Sequence, residues 1–526
     1  MAAKPFPLEF QAGIQRDGTP FDSQRYLDGL WTRWRLGRPR SMGGYVQITD
    51  KLTGLPRRVH MFYQNGLCYC HVGTTAGIQQ VVFDSYGNFV STMDRTPVGF
   101  VGGTNTTFTM DAIFDTTSNT VLLVVHAAPA GAVISNNTQT TPFLGPIDAT
   151  SLLNAISNPG VPPSDEGVWT QPSVAGGIVC VQPYLFDFDN YGFLGWSSPN
   201  LPNYLGVTGG SSGAGQARVS AQKIVAGLPL RGGGVQSPAA LFWSLSEVIT
   251  AVFVGAPAEF AFNTISPSSS ILSNASVIEY DGLYFWAGID RFLVFNGTVA
   301  EVPNNQNQDW FFNNLTPGYE GLTYAFKIPR YGEIWWCACM FGSAVPNFAV
   351  IFNLRENAWY DTMLPNGGRS AAYFAQGVKF PVMTGVSNDG SGYSLWQHET
   401  GTDQIMAGVP TAIRKYFETG WFGGPRNNPP ADEALAVAQL EADFIQTGNM
   451  SVTMIGAANA RATPSSGNSV PLLQIPTVPQ EQFPSFVQTQ SQRLSKLHVE
   501  SNTLGGSFIG GRNLLRGDLA EKKLVG

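Results

Sequence analysis

Apolar positions in residues 274–303 fall in short runs that turn-forming residues separate. Asp281-Gly282 and Asn296-Gly297 suit type I′ hairpin turns, because both central residues of such a turn need a positive φ. Gly288-Ile289-Asp290 indicates a further chain reversal. The apolar runs lie at about 277–280, 283–287, 292–295 and 298–302. They are rich in Val, Ile, Tyr, Phe and Trp, so the pattern predicts a four-stranded antiparallel meander, the shape of one β-propeller blade.

Similar groups of apolar runs recur along the chain at a spacing that suits a four-stranded blade, roughly 40–60 residues. They lie at 81–93, 106–127, 176–196, 239–265, 322–363 and 370–399. The repetition predicts a β-propeller of six or seven four-stranded blades over residues 46–403. The Pro-, Gly-, Asn-, Thr- and Ser-rich stretch 128–168 reads as a long insertion between blades, and 200–218 as a loop.

The pattern changes at the C-terminal end, where residues 404–526 predict a separate β domain resembling a small sandwich. The run 431–446 is ambiguous, because its Ala, Glu and Leu content favours a helix. Alternation at Leu440, Ala442 and Phe444 favours a strand, which is our prediction.

Residues 1–45 form an N-terminal arm with an unusual cluster of cations, Arg33, Arg35, Arg38 and Arg40. One interpretation is an edge segment whose arginines are solvated or paired with nearby acids. The other is an arm that docks on another subunit, since the planar arginine fork suits protein interfaces. We therefore treat these four arginines as a candidate docking site.

Composition supports an all-β class. Charged residues make up 13% of the chain, about half the usual share, while 59 Gly and 35 Pro supply turns. A net charge of −7 argues against a generally basic nucleic-acid-binding surface. We expect no signal peptide and no membrane insertion, because no apolar run has the required length. Five cysteines, an odd number, argue against a disulfide framework and favour maturation in a reducing cytoplasm.

The hairpin at 57–72 contains two His and two Cys, a set that resembles a zinc site. If Asn65-Gly66 forms the turn, His60 lies opposite His71 and Met61 lies opposite Cys70. Side chains alternate between the faces of a strand, so the His pair and the Cys pair, Cys68 and Cys70, project from opposite faces. We therefore predict no metal at this hairpin.

Catalytic motifs are absent from the sequence, which has no phosphate-binding P-loop, no GxSxG, no HExxH and no EF-hand loop. Propeller glycosidases use paired carboxylates, and four acids are available for such a role: Asp187, Asp189, Asp281 and Asp290. Acids beside glycine are usually turn formers. The sequence therefore predicts a protein without enzymatic activity and without a cofactor.

Three stretches together resemble the tail nozzle proteins of short-tailed bacteriophages, also called packaged-DNA stabilisation proteins. They are DSQRYLDGLWTRWRLGRPRSMGGY near the start, IEYDGLYFWAGIDRFLVFNGTV with IFNLRENAWYD in the middle, and ETGWF with LHVESNTLGGSFIGGRNLL near the end. The resemblance touches both ends and the middle of the chain. It carries no catalytic residue, and 128–168 has no counterpart in it.

The resemblance implies a homohexameric ring in the virion tail, assembled in the host cytoplasm. Such a ring lies below the portal and the adaptor, lines the DNA exit channel and carries fibres or spikes. The composition suits this role, because six copies would carry about −42 and repel passing DNA over roughly one Debye length. Two alternatives stay open: a receptor- or glycan-binding propeller of a fibre or baseplate, and a propeller hydrolase.

Overall fold

The structure, a computed structural model, describes most of the chain. The described residues are 6–98, 100, 102–104, 106–129, 142–149, 151–155, 176–205, 213–231, 237–387, 390, 392–423, 435–478, 484–492 and 494–519. They are nearly all in strands and turns, which confirms the all-β class. Helical structure within them is limited to the α-helix Gln308–Asn313 and the 3₁₀ turns Glu320–Leu322 and Pro365–Gly367. No helix in these ranges is long and apolar enough to cross a membrane.

Residues 45–411 form seven sheets, named I to VII; sheets I to VI are antiparallel and follow the chain from strand to neighbouring strand, whereas sheet VII also contains one parallel pair. Sheet I comprises Pro56–Gln64, Leu67–Thr74, Gly77–Asp84 and Phe89–Asp94. Sheet II comprises Thr106–Asp115, Thr120–Pro129, Phe143–Pro146 and Asn154–Ala155. Sheet III comprises Gly177–Val181, Tyr184–Phe188, Phe193–Ser198 and Leu201–Leu205, with Gly215–Arg218 also paired to its third strand.

The next three sheets repeat this arrangement. Sheet IV comprises Ile224–Pro229, Ala239–Ser244, Val248–Gly255 and Glu259–Ser266. Sheet V comprises Val277–Tyr280, Leu283–Ala287, Phe292–Phe295 and Val299–Glu301. Sheet VI comprises Tyr324–Ile328, Glu333–Ala338, Phe348–Asn353 and Ala358–Met363.

Sheet VII joins distant parts of the chain. Ala371–Tyr373, Val382–Val386 and Tyr393–His398 are consecutive, but the fourth strand is Tyr45–Leu52, from the start of this region. The short strands Gln404–Met406 and Val409–Thr411 continue the sheet beyond it. The predicted boundary at 403 is therefore too early, because these two strands belong with sheet VII.

Each sheet shares a buried apolar cluster with the next one along the chain. The clusters include Ile78 and Leu123 for I and II, Ile113 and Leu185 for II and III, Phe186 and Phe242 for III and IV, Trp243 and Trp286 for IV and V, Phe292 and Trp336 for V and VI, Trp335 and Trp396 for VI and VII, and Cys70 and Leu395 for VII and I. The core is thus divided into layers between sheets. Strand pairing establishes the all-β class, and a closed propeller stays a prediction.

Four further sheets lie outside this region, and the three larger ones each combine N-terminal with C-terminal strands. The first has Asp28–Leu30, Lys415–Glu418, Leu494–Ser501, Met450–Ala457 and Ser465–Leu472. The second has Thr32–Arg35, Arg38–Ser41, Ser507–Gly510 and Phe444–Thr447. The third has Phe6–Leu8, Asn513–Leu519, Leu435–Glu441 and Ser485–Gln492, and Gln11–Ile14 pairs separately with Arg25–Tyr26.

This mixed pairing corrects the prediction of a separate N-terminal arm. The head, residues 6–41, supplies strands to the C-terminal sheets and buries Trp34 in their common core with Phe417 and Phe508. The strand predicted at 431–446 is confirmed where the structure describes it, as Leu435–Glu441 and Phe444–Thr447. The sandwich arrangement of these sheets stays a prediction.

Sheet V corresponds to the four-stranded meander predicted for residues 274–303. Its four strands match the predicted runs to within one residue, and Asp281 and Gly282 have φ of 51° and 84°, as a type I′ turn requires. The type I′ turn predicted at Asn296-Gly297 is wrong in detail. Phe295 pairs with Val299, so three residues form the loop, and only Gly297 among them has a positive φ.

The predicted insertion at 128–168 is also corrected in its described part. Phe143–Pro146 and Asn154–Ala155 are the third and fourth strands of sheet II. Within the predicted loop 200–218, Leu201–Leu205 and Gly215–Arg218 are strands of sheet III. Positions 130–141, 150, 156–175 and 206–212 lie outside the described residues.

Candidate functional site

Arg33 is buried within its own chain. Its side chain is 1% exposed, and its Nε lies 2.8 Å from Oε1 of Glu333 in sheet VI. Its terminal nitrogens donate to the two Glu399 oxygens at 2.5 and 2.8 Å. The guanidinium also stacks on Tyr331, 3.7 Å from the ring centroid. Arg33 therefore joins the head to sheet VI and to the residue that follows the third strand of sheet VII.

The surroundings of Glu333 hold this ion pair in place. Glu333 is completely buried and accepts hydrogen bonds from the Tyr360 hydroxyl at 2.6 Å and the Trp335 indole at 2.9 Å. Burial disfavours the charged form of Arg33, but the two carboxylates outweigh it and raise the pKa of Arg33. Burial, opposed by Arg33, raises the pKa of Glu333. This arrangement has a structural role, because the Glu333 and Glu399 carboxylates both depend on the Arg33 cation.

The hairpin between Thr32–Arg35 and Arg38–Ser41 ends in an exposed tip. Leu36 and Gly37 occupy the turn with φ of 52° and 74°, and the Leu36 side chain is 85% exposed. Their backbone N–H groups donate to the two Glu356 oxygens at 2.8 and 2.9 Å. Glu356, in the turn between the last two strands of sheet VI, thus fixes the tip.

Cations surround this tip. Arg35 and Arg355 are exposed, and together with Arg330 they line a cavity of about 270 Å³ that also includes Leu36. Arg355 donates to the backbone carbonyls of Arg330 and Pro329, so these bonds leave its charge uncompensated. Glu356 is the carboxylate lining this cavity. The tip therefore presents an apolar side chain within a positively charged surface.

The four arginines predicted as one docking site have different environments. Arg33 is wrong as a docking residue, because burial and pairing with Glu333 and Glu399 leave it unavailable. Arg35 is exposed, while Arg38 and Arg40 are half-buried, and Arg40 lies 5.9 Å from the Tyr331 ring centroid. Docking by these three stays a prediction.

A second candidate site is a cavity of about 520 Å³ where the first strands of six sheets converge. Arg58 and His60 come from sheet I, Asp111 from sheet II, Glu279 from sheet V, Lys327 from sheet VI and Tyr373 from sheet VII, with Arg231 after the first strand of sheet IV. We call it the central cavity. Such concave sites with a few polar groups on apolar walls are typical of ligand binding.

The His and Cys hairpin has the predicted register, with His60 opposite His71 and Met61 opposite Cys70. Burial, followed by the nearby Arg58 charge, lowers the pKa of His60 to about 4, and burial is also the main cause that lowers the pKa of His71 to about 3. Both rings are therefore neutral at pH 7. In the part of the chain that the structure describes, no three possible ligand side chains converge on a metal position. The prediction that this hairpin binds no zinc remains to be tested.

The four acids considered for catalysis do not line the central cavity. Asp281 is in an exposed turn, and exposed Asp290 bonds the adjacent Arg291. Asp187 lies in sheet III and Asp189 directly follows the same strand; burial and then the neighbouring Asp189 charge raise the pKa of Asp187 to about 7. Asp189 accepts hydrogen bonds from the Tyr191 and Phe193 N–H groups, the turn role that the sequence favoured.

Sequence reasoning missed the acids that hold Arg33 and the hairpin tip. Glu333 and Glu399 lie 300 and 366 residues from Arg33, and Glu356 lies about as far from the tip that it fixes. A single sequence carries no signal that links such positions. Comparison with known proteins adds no assignment, since no family model and no curated protein matches the chain.

Proposed function

We propose that this chain is a structural component of a short-tailed bacteriophage tail, a nozzle subunit rather than an enzyme. Six copies form a ring below the adaptor, in a virion assembled in the host cytoplasm. The ring lines the DNA exit channel, helps to retain packaged DNA and anchors fibres or spikes. It makes no sequence-specific DNA contact.

The observation that carries this proposal is that the stretches resembling nozzle proteins meet in space. Arg16, close to the first stretch, lies 2.7 Å from Asp361 of the middle stretch. Glu356 of the middle stretch fixes the tip in the first stretch. Arg40 pairs with Ile509 of the last stretch. Segments that carry the resemblance at opposite ends of the chain therefore form one junction.

The proposal includes a seven-bladed propeller built from sheets I to VII. Its support is the series of seven apolar clusters, in which sheet VII shares a cluster with sheet I as well as with sheet VI. The first strands of most neighbouring sheets also lie beside one another, including Ala371–Tyr373 beside Pro56–Gln64; sheets IV and V are the exception. An N-terminal strand in the last blade ties the two ends of a propeller ring together. Such a closure suits a tail part that experiences force during DNA ejection.

The tip at Arg35–Arg38 is the proposed docking element for a neighbouring subunit or the adaptor. Its exposed Leu36 and surrounding arginines suit an interface with an acidic partner, and every copy of this chain is acidic. DNA is a poorer partner, because a few arginines on a ring of about −42 make a weak and salt-sensitive phosphate site.

Negative-stain imaging of the purified chain, alone and with its adaptor ring, tests the assembly. We expect a six-fold ring, whereas a trimer or a monomer under both conditions would contradict the proposal and favour a fibre component or a hydrolase. The triple variant Arg35→Ala, Arg38→Ala, Arg40→Ala should fold but assemble poorly. Arg291→Ala, an exposed arginine in a loop of sheet V, is the matched control and should assemble normally. Normal assembly of the triple variant with loss of DNA retention alone would replace docking with a DNA contact.

A further inference from the structure

Two adjacent arginines lie near the start of the first strand of sheet I, beside the central cavity. The pairing register with Leu67–Thr74 shifts between Pro56 and Arg58, so Arg57 is the extra residue of a β-bulge. A bulge redirects side chains that would otherwise alternate between faces. Arg57 and Arg58 accordingly line the same small gap beside the central cavity, and Arg58 lines the cavity itself.

Arg58 lacks a bonded counter-ion. Its side chain makes no hydrogen bond and no ion pair within the described ranges, although Arg58 is half-buried and burial lowers its pKa. Asp111 is the carboxylate whose charge acts on Arg58. That carboxylate is already bonded, because it accepts from the Cys180 and Ala112 N–H groups at 2.8 Å each. Arg58 therefore lines the cavity with guanidinium donors that have no partner among the described residues.

The opposite wall of the cavity also has more cations than carboxylates. Glu279 accepts from Lys327 at 2.9 Å and pairs with Arg231 at 3.0 Å, so one carboxylate serves two cations. His60 is neutral at pH 7, as described above. The cavity and its adjoining gap therefore contain four cationic side chains and two carboxylates, within a chain whose net charge is −7.

Arg57 strengthens this imbalance. One terminal nitrogen donates to the carbonyl of Thr104, while Nε and the other terminal nitrogen have no partner among the described residues. Buried donors without partners are unfavourable and are usually satisfied by water or a ligand. A compact group with several acceptor oxygens in the central cavity would offset the excess positive charge there.

We propose that the central cavity binds a small anion through a carboxylate or phosphate group held by Arg58. The planar fork of arginine matches either group with two parallel hydrogen bonds. Lys327 and Arg231 provide a second, weaker positive wall, and Phe326 and Tyr373 provide apolar surface for an organic body. A volume of about 520 Å³ accommodates a molecule of monosaccharide size. This site is independent of the tail assembly proposed above.

Calorimetric titration of the full chain at pH 7 with inorganic phosphate, glucuronate and glucose tests the proposal. We expect saturable binding of phosphate, glucuronate or both, and no binding of neutral glucose. Glucuronate alone would assign the group as a carboxylate, and phosphate alone would assign it as a phosphate. Arg58→Gln should weaken binding about 10-fold or more, since losing hydrogen bonds between charged groups reduces affinity by about that factor.

Arg291→Gln is the control variant, because it removes an exposed arginine outside the cavity, and it should bind the anion as the wild type does. Arg58→Gln should keep the melting temperature of the ligand-free protein, because Arg58 has no bonded partner to lose. If that variant fails to fold, Arg58→Lys replaces it as the test, because lysine keeps the charge but not the planar fork. We then expect a measurable loss of affinity for the anion. Absence of binding by both anions, equal binding of glucose, or full affinity in the Arg58 variants would overturn the proposal.

Discussion

Replacing Arg33 with alanine is the sharpest test of the junction between the head and the sheets. The change leaves Glu333 and Glu399, 0% and 7% exposed, without their shared cation. Removing one partner of a buried ion pair destabilises a protein by about 3–5 kcal/mol. Loss of the stacking on Tyr331 adds to this, by about 1–2 kcal/mol for a desolvated cation over a ring. The hydrogen bonds to Glu333 from Tyr360 and Trp335 remain and moderate the loss.

Protonation sets an upper limit on this destabilisation. Glu333 already has a raised pKa, and without Arg33 it can become neutral rather than remain a buried charge. The free energy lost by Arg33→Ala should therefore be larger at pH 8 than at pH 5. We expect a loss of about 3 kcal/mol or more near neutral pH.

Urea denaturation followed by tryptophan fluorescence measures the effect, because Trp31, Trp34 and Trp335 are buried in the apolar cluster at this junction. Arg35→Ala is the control and should change stability by less than about 0.5 kcal/mol, since that arginine is exposed. Combining Arg33→Met with Glu333→Gln should recover part of the loss. A midpoint for Arg33→Ala that equals the wild type at pH 8 would refute the reasoning.

Two further predictions concern a turn and a titrating group. Gly282→Ala should destabilise by about 1 kcal/mol, because its φ of 84° strains any side chain although the space around it is open. Gly321→Ala has equally open space without a positive φ, and its melting temperature should match the wild type; equal shifts in both variants would contradict the turn assignment. His498 bonds Glu418 at 3.1 Å and Glu500 at 3.0 Å, and although burial disfavours its charge these bonds raise its pKa. A histidine whose pKa is higher in the folded state than in the unfolded state stabilises the fold fully below its unfolded pKa, near 6.5. This stabilisation disappears as the pH rises through the folded-state pKa. The urea midpoint should therefore fall between pH 6 and pH 9 in the wild type and fall less in His498→Gln, and parallel pH profiles would exclude this role.

The strands of sheet V could be located from sequence because their signals are local. Short runs of Val, Ile, Phe, Tyr and Trp bury one or both faces of a strand, and both residues of Asp281-Gly282 and of Asn65-Gly66 have the positive φ that a type I′ turn requires. The same local rules assigned the register that places His60 opposite His71. Where a turn permits several loop lengths, as at Gly297, the local signal located the reversal but not its register.

Pairing between distant segments was beyond these rules. The strand Tyr45–Leu52 completes sheet VII with Tyr393–His398, and the head strands enter the C-terminal sheets, because an unpaired strand edge gains hydrogen bonds from any suitable segment that the chain brings near. Arg33 follows the same logic: four arginines within eight residues look equivalent along the chain, yet only Arg33 lies over Glu333 and Glu399. Local propensity depends on neighbours in sequence, whereas burial and charge pairing depend on neighbours in space.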